Sequence, residues 1–171
     1  VGELCFSGPQ VFLGYFKNEE ATRKALSKEG ILYTGDMGYV DEAGLHLSGR
    51  RKFILKPKGY QVYPAEIENF IAEQFKDRVE NIGVIGMPHE IFSEGIIAYL
   101  ETKPGKKIEP GEVFEACKEL AAYKRPAHVV VMGPEEMPLN RTEKTDYMAL
   151  KKLAEPEIAK LRAAGKWDAK K

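Results

Sequence analysis

Apolar positions recur along this chain with two different periods, and the change from one to the other divides it. Residues 3–7 and 11–16 are short apolar runs on either side of Gly8-Pro9 and predict two strands. Asn18 suits the N-cap of a helix over 19–28, with Gly30 closing it. Further short strands are expected at 31–33, 38–41 and 45–48, with Asp41-Glu42-Ala43-Gly44 as hairpin-turn chemistry. The first third is therefore small, rich in strands and rich in turns.

The pattern changes after Gly49-Arg50-Arg51-Lys52. A strand over 53–55, a loop with Pro57 and Gly59, and a strand over 60–62 lead to Pro64, which opens a helix at its favoured first-turn position. Ile67, Phe70, Ile71 and Phe75 form the apolar stripe of that helix. Residues 79–87 and 95–102 read as buried strands, 112–123 as a second amphipathic helix and 128–132 as a third core strand. A polar loop over 133–145 then leads to a terminal helix over 147–164, whose Leu150, Leu153, Ile158 and Leu161 are expected to pack on their own domain. Alternation of this kind predicts an α/β (α+β) domain: a short mixed sheet flanked by helices, preceded by a β-rich remnant of a larger domain. The division falls at residues 1–50 and 51–171, with the Lys170-Lys171 tail expected to fray.

Composition narrows the function classes. Of the 171 residues, 43% are hydrophobic and 30% charged, which suits a soluble globular protein. Lys plus Arg and Asp plus Glu number 26 each, so no net charge draws the chain to nucleic acid or an anionic membrane. No apolar run approaches a membrane span. Cys5 and Cys117 show no paired spacing, and His46, His89 and His128 are scattered, so neither a disulfide framework nor a metal site is indicated. The expected setting is reducing and cytoplasmic. The opening at Val1, without an initiator Met, is read as a boundary within a longer protein.

Four segments carry candidate chemistry, and each alone has a plain alternative. Tyr33-Thr34-Gly35-Asp36 is by itself a turn, but an Asp at a strand end can accept two ribose hydroxyls. Arg50, after the hairpin, could face ribose or phosphate oxygens, although a strand-end Arg is usually just solvated. The segment Lys56-Pro57-Lys58-Gly59-Tyr60 is a basic turn in which Gly59 permits close approach of a slender ligand. Lys144 sits on a polar loop, where a lysine is most often solvated. It can also deliver a point charge to a phosphate or carboxylate.

Order and spacing add what no single segment holds. From Gly2-Glu3-Leu4 through Gly14-Tyr15-Phe16, Tyr33-Thr34-Gly35-Asp36, Gly49-Arg50, Gly59, Pro64-Ala65-Glu66-Ile67-Glu68, Val84-Ile85-Gly86-Met87-Pro88, Tyr123-Lys124-Arg125-Pro126 and Pro138 to Lys144, the chain resembles the ANL family of adenylating enzymes. That family comprises acyl-CoA synthetases, peptide-synthetase adenylation domains and luciferases. The match runs over residues 2–150, roughly the C-terminal portion of such an enzyme.

The resemblance implies formation of an acyl-adenylate from a carboxylic acid and ATP, followed by transfer to the thiol of coenzyme A. It assigns Asp36 to the ribose hydroxyls, Arg50 to the nucleotide and Lys144 to the reacting carboxylate and phosphate during adenylation. Lys52 falls at the hinge about which the small domain swings, and Lys56 and Gly59 fall in the loop that serves thioester formation. The phosphate-cradling loop, the acyl pocket and most contacts to Mg²⁺ would lie in a larger N-terminal domain outside these residues. On this ground the 171 residues alone are expected not to adenylate. Two positions depart from the family pattern: Glu143 stands where a Gly usually precedes the lysine, and Phe53 where an acidic residue often follows the hinge. Pro64 favours the acyl-CoA branch. Loading of a carrier protein, or a non-catalytic binding module, are the alternatives.

Overall fold

The computed structural model of the protein describes residues 1–168, which divide into two compact units after Phe53.

The first unit is a three-stranded antiparallel sheet, in the order β1 (Gly2–Phe6), β2 (Leu32–Asp41), β3 (Gly44–Arg50). The two strands expected at 31–33 and 38–41 are one continuous strand, because β1 and β3 pair along its two edges with a register shift on each side. Helix α1 (Glu19–Ala25) starts at Asn18 as expected, whose side chain accepts the Ala21 N–H at 3.0 Å. It ends three residues early. Leu26 is extended and bridges to Leu32, and the Ser27 hydroxyl accepts the N–H groups of Glu29 and Ile31. Residues 11–16 form no strand. Their backbone is taken up by a turn onto Gly8 and by the start of α1, where Tyr15 N–H reaches the Thr22 hydroxyl. Leu13 and Phe16 stay almost fully exposed, and the unit buries no large side chain.

The second unit is built on a mixed sheet. Strands β4 (Val79–His89) and β5 (Ser93–Thr102) form an antiparallel hairpin, and β6 (His128–Met132) adds parallel to β5. Both faces of the sheet are covered. Ile96, Ala98 and Leu100 of β5 face α2 (Pro64–Gln74) and α3 (Pro110–Ala116), while Ile97 and Tyr99 face α4 (Tyr147–Ala163). A strand buried on both faces reads as an unbroken apolar run, which is how β5 looks in the sequence. Helix α2 places Ile67 and Ile71 in that core as expected, with Phe70 partly buried against it.

Three local expectations change. Residues 51–53 form a single helical turn rather than the start of a strand, and Leu55 alone bridges to Val62. The helix expected over 112–123 stops at Ala116 and continues as two separate turns, with Leu120 extended between them. Arg125 makes that break tenable, since its guanidinium donates to the carbonyls of Leu120 and Lys118. On α4 the buried positions are Leu150, Ala154 and Ile158, so Leu153 points outward. Asp146 caps this helix by accepting from Met148 and Ala149. The chain stays packed past its end as far as Trp167, and the expected fraying of Lys170-Lys171 concerns residues outside those described. No described helix is long and apolar enough to cross a membrane.

Candidate functional site

In the first unit, Asp36 and Arg50 are directly opposed between β2 and β3, and the Arg50 Nη1 donates to Asp36 Oδ1 at 2.7 Å. Both stay accessible, with side chains 33% and 49% exposed. The approach to Asp36 is held from behind. Thr34 donates to the Leu4 carbonyl and accepts the Asp36 N–H, while Glu3 accepts from Gly35 N–H and from Arg51. Glu3 is a positioning group that sequence reasoning did not single out; an acidic residue in an edge strand gives no such signal. A carboxylate and a guanidinium side by side offer acceptors to a diol and donors to a phosphate or ring oxygen. Lys52 lies next in the chain, exposed in the 51–53 turn, with its Nζ 4.7 Å from the Phe53 ring centroid.

In the second unit, Lys144 stands exposed near the end of a small closed hairpin. Leu139 bridges to Thr145, the Asn140 N–H donates to the Lys144 carbonyl, and Asp146 N–H donates to the Pro138 carbonyl. Asn140 organises the interior: its Oδ1 accepts the N–H and hydroxyl of Thr142 and the N–H of Lys144. The Asn140-Arg141-Thr142 pattern carries that signal as an Asx turn, but sequence reasoning passed over it. Glu143 has φ +57°, in the left-handed region that a glycine would occupy without strain. The base of the hairpin rests on β4. Thr145 donates to the Ile82 carbonyl, and the Tyr147 hydroxyl donates to Glu68, which also accepts the Val84 N–H. Burial raises the Glu68 carboxyl above its ordinary range, against the opposing pull of those two donors.

The Lys56–Gly59 loop lies beside the β4–β5 turn. Lys56 and Gly59 are exposed, Pro57 is buried, and Lys58 and Gly59 both have positive φ, +53° and +83°. Lys56 N–H donates to the Glu94 carboxylate, Lys58 N–H donates to the Phe92 carbonyl at 2.8 Å, and Lys58 Nζ lies 4.2 Å over the Phe92 ring. Beyond the loop, Tyr60 stacks on Tyr123 with ring centroids 4.2 Å apart. A cavity of about 480 Å³ opens beside it, with Lys58, Phe92, Phe114, Lys118, Tyr123 and Arg125 among its walls. Cys117 also lines it, its thiol pushed up to about 11 by burial. The structure thus joins Asp36 to Arg50, and Lys56 to Gly59, and keeps Lys144 on a loop of its own. The Lys144 hairpin rests on β4 at Ile82, whereas the Lys56–Gly59 loop is held by Phe92 and Glu94 at the β4–β5 turn, so the two loops of the second unit have separate anchors. Among the described residues no cluster of His, Cys, Asp or Glu is arranged to hold a metal ion.

Residues 66–144 match the family described as AMP-binding enzyme C-terminal domain. The chain is 39% identical over 131 residues to a putative acyl-CoA synthetase, YngI, of Bacillus subtilis, covering 75% of this chain and 24% of that protein. It is 38% identical over 159 residues to 4-coumarate–CoA ligase-like 4 of Oryza sativa, covering 92% and 28%. Among solved structures, o-succinylbenzoate CoA synthetase (MenE) of Bacillus subtilis with ATP and magnesium superposes with a TM-score of 0.76 at 34% identity, covering 88% of this chain and 30% of that one. ATP-bound MatB of Rhodopseudomonas palustris gives 0.75 at 33%, covering 86% and 29%. The chain thus spans 24–30% of the length of these relatives. With the domain match, the shared fold and these relatives in agreement, the chain belongs to the ANL family of AMP-forming adenylating enzymes and carries its C-terminal domain.

Proposed function

We propose that this chain provides the nucleotide-contacting pair, the adenylation lysine and the thioester loop of a carboxylate–CoA ligase. In the first half-reaction a carboxylate oxygen attacks the α-phosphorus of ATP and pyrophosphate leaves. Asp36 accepts the ribose hydroxyls, Arg50 donates to the nucleotide, and the Lys144 ammonium draws carboxylate and phosphate together while offsetting the charge that develops. In the second, the thiol of coenzyme A attacks the adenylate carbonyl, its proton is lost, and AMP leaves. Lys56 and Gly59 serve that step. The cationic, aromatic-walled cavity beside them suits the phosphorylated nucleotide end of coenzyme A.

One observation carries this reading. The two loops belong to one compact unit but are anchored separately, one on the middle of β4 and the other on the β4–β5 turn, so a turn of that unit about Lys52 would exchange one for the other at a fixed site. The relatives point the same way, since MenE and the rice protein bear CoA-ligase names. The exposed apolar side chains of the first unit fit a surface that the remainder of an adenylating domain covers. That domain would also hold the acyl pocket and Mg²⁺, and the 171 residues alone are expected to be inactive.

Glu143 supports a second reading, a family member that binds without adenylating, because a strained acidic residue adjoins the lysine. ATP–pyrophosphate exchange across a panel of carboxylic acids separates the two in the full-length protein containing this chain. Exchange that depends on one acid and collapses in Lys144→Ala supports the ligase; a folded protein with no exchange for any acid overturns it. Transfer to free coenzyme A rather than to a carrier protein then fixes the acceptor.

A further inference from the structure

The only tryptophan in the sequence plays no part in the reaction above, yet it is among the best-buried large side chains of the chain, at 3% exposure. Trp167 lies beyond the end of α4 and closes over the β4–β5 turn. Its Nε1 donates to the Pro88 carbonyl at 2.9 Å, an oxygen that also accepts from the Arg162 guanidinium. Its ring lies so close to Gly95 that a Cβ there would come within 2.6 Å of it, so β5 admits the indole only because that residue has no side chain. Asp168 continues the contact. It accepts the Glu90 N–H at 3.0 Å and pairs with Arg162 at 2.8 Å.

Between Trp167 and the front of the turn sits His89, buried. Its ring stacks on Phe92 at 4.4 Å and lies 5.5 Å from the indole, while its Nδ1 accepts the N–H groups of Ile91 and Phe92. The turn itself is strained, with Ser93 at φ +61°. The same turn holds the Lys56–Gly59 loop at three points: the Glu94 carboxylate on Lys56 N–H, the Phe92 carbonyl on Lys58 N–H, and the Phe92 ring under the Lys58 ammonium. The loop is closed below by the Leu55–Val62 bridge and flanked by the Tyr60–Tyr123 stack, but its tip, with two consecutive left-handed residues and exposed Lys56, Lys58 and Gly59, is tied to the sheet through these contacts with the turn.

We infer that Trp167 and Asp168 are positioning residues for the thioester-forming step: they brace the β4–β5 turn from behind, and the turn sets the Lys56–Gly59 loop. The inference rests on the reading that this loop serves the second half-reaction. The Lys144 hairpin is anchored elsewhere, on Ile82, Val84 and Glu68, so the brace acts on one half-reaction and leaves the other alone.

Two measurements test it. In the 171-residue chain, Trp167→Ala speeds hydrogen exchange of the Lys58 and Tyr60 amides at least about tenfold, while the Glu143 and Lys144 amides keep their rates. In the full-length protein the same variant lowers thioester formation from supplied acyl-adenylate and coenzyme A at least about tenfold, with ATP–pyrophosphate exchange within about twofold of wild type. Trp167→Phe, which keeps the ring but not the donor, falls between. Asp168→Asn shows the same selectivity at smaller size and carries the test if Trp167→Ala does not fold. Unchanged Lys58 and Tyr60 exchange in a folded variant, or equal loss in both half-reactions, overturns the inference. A wild-type protein that makes no thioester overturns the proposed function and the catalytic half of this inference. The exchange rates then still decide whether the brace sets the loop.

Discussion

Asp36 and Arg50, fourteen residues apart in sequence, face each other across β2 and β3 and close a 2.7 Å ion pair at the accessible end of the hairpin. A pair this exposed contributes less than about 1 kcal/mol to stability, so its geometry matters more for what it offers a ligand than for the fold. Asp36→Ala is therefore expected to leave the unfolding midpoint nearly unchanged and to weaken ATP binding by the full-length protein about tenfold or more. Equilibrium binding of ATP checks it. Unchanged affinity would remove Asp36 from the nucleotide site.

Glu143 is held at φ +57° between Asn140, whose carbonyl accepts its N–H, and Lys144. Gly adopts that conformation freely, whereas a side chain there carries strain of about 1–2 kcal/mol. Part of that gain is offset by the greater freedom of Gly in the unfolded chain. Glu143→Gly should thus raise stability by roughly 0.5–1 kcal/mol in denaturant unfolding. It also removes a negative charge beside Lys144, so pyrophosphate exchange should hold or rise. A loss on both counts would mean that the glutamate has a role of its own.

Elements set by local chemistry were legible in the sequence: the Asn18 cap, Pro64 at the head of α2, and β5 as an unbroken apolar run. The elements that were misread are decided by particular backbone and side-chain contacts that residue propensities do not announce. Nothing local says that Leu26 will bridge to Leu32, or that Arg125 will reach back to the carbonyls of Lys118 and Leu120 and break a helix. The same division holds for the candidate site. Asp36, Arg50, Lys56, Gly59 and Lys144 are proposed from ordered segments of the sequence, whereas Glu3 supports Gly35 from another strand and Trp167 reaches the β4–β5 turn from beyond the last helix. Such supporting groups leave no local pattern, because their partners are dozens of residues away.

Tyr99 gives a prediction about the core. It is 2% exposed, and its hydroxyl is buried without a hydrogen-bond partner among the described residues. Burial pushes the phenol up to about 12, with Glu157 adding to the effect, so it stays neutral at any ordinary pH. A hydroxyl buried without a partner is destabilising by about 1–3 kcal/mol relative to its place in water. Tyr99→Phe keeps the ring packed against α4 and should raise the unfolding free energy by about 1 kcal/mol. A destabilised variant would mean that the hydroxyl is satisfied in solution.

Glu68 yields the pH dependence. Burial raises its carboxyl above the unfolded value even though Val84 N–H and the Tyr147 hydroxyl both donate to it. The folded state therefore holds the Glu68 proton more tightly than the unfolded state does. Its contribution to stability is complete below the unfolded pKa and is lost as pH rises through the folded one. At neutral pH the buried charge works against folding. Glu68→Gln keeps an oxygen for both donors and removes the charge, so the variant should be the more stable at about pH 7. That advantage should shrink toward zero by about pH 4, where the wild-type carboxyl is largely protonated in both states. Urea unfolding at the two pH values measures the difference directly. An advantage that does not change with pH would place its origin in packing rather than in the charge. A variant less stable at neutral pH would show that the ionised carboxylate, through its grip on Tyr147 at the base of the Lys144 hairpin, contributes more than its burial costs.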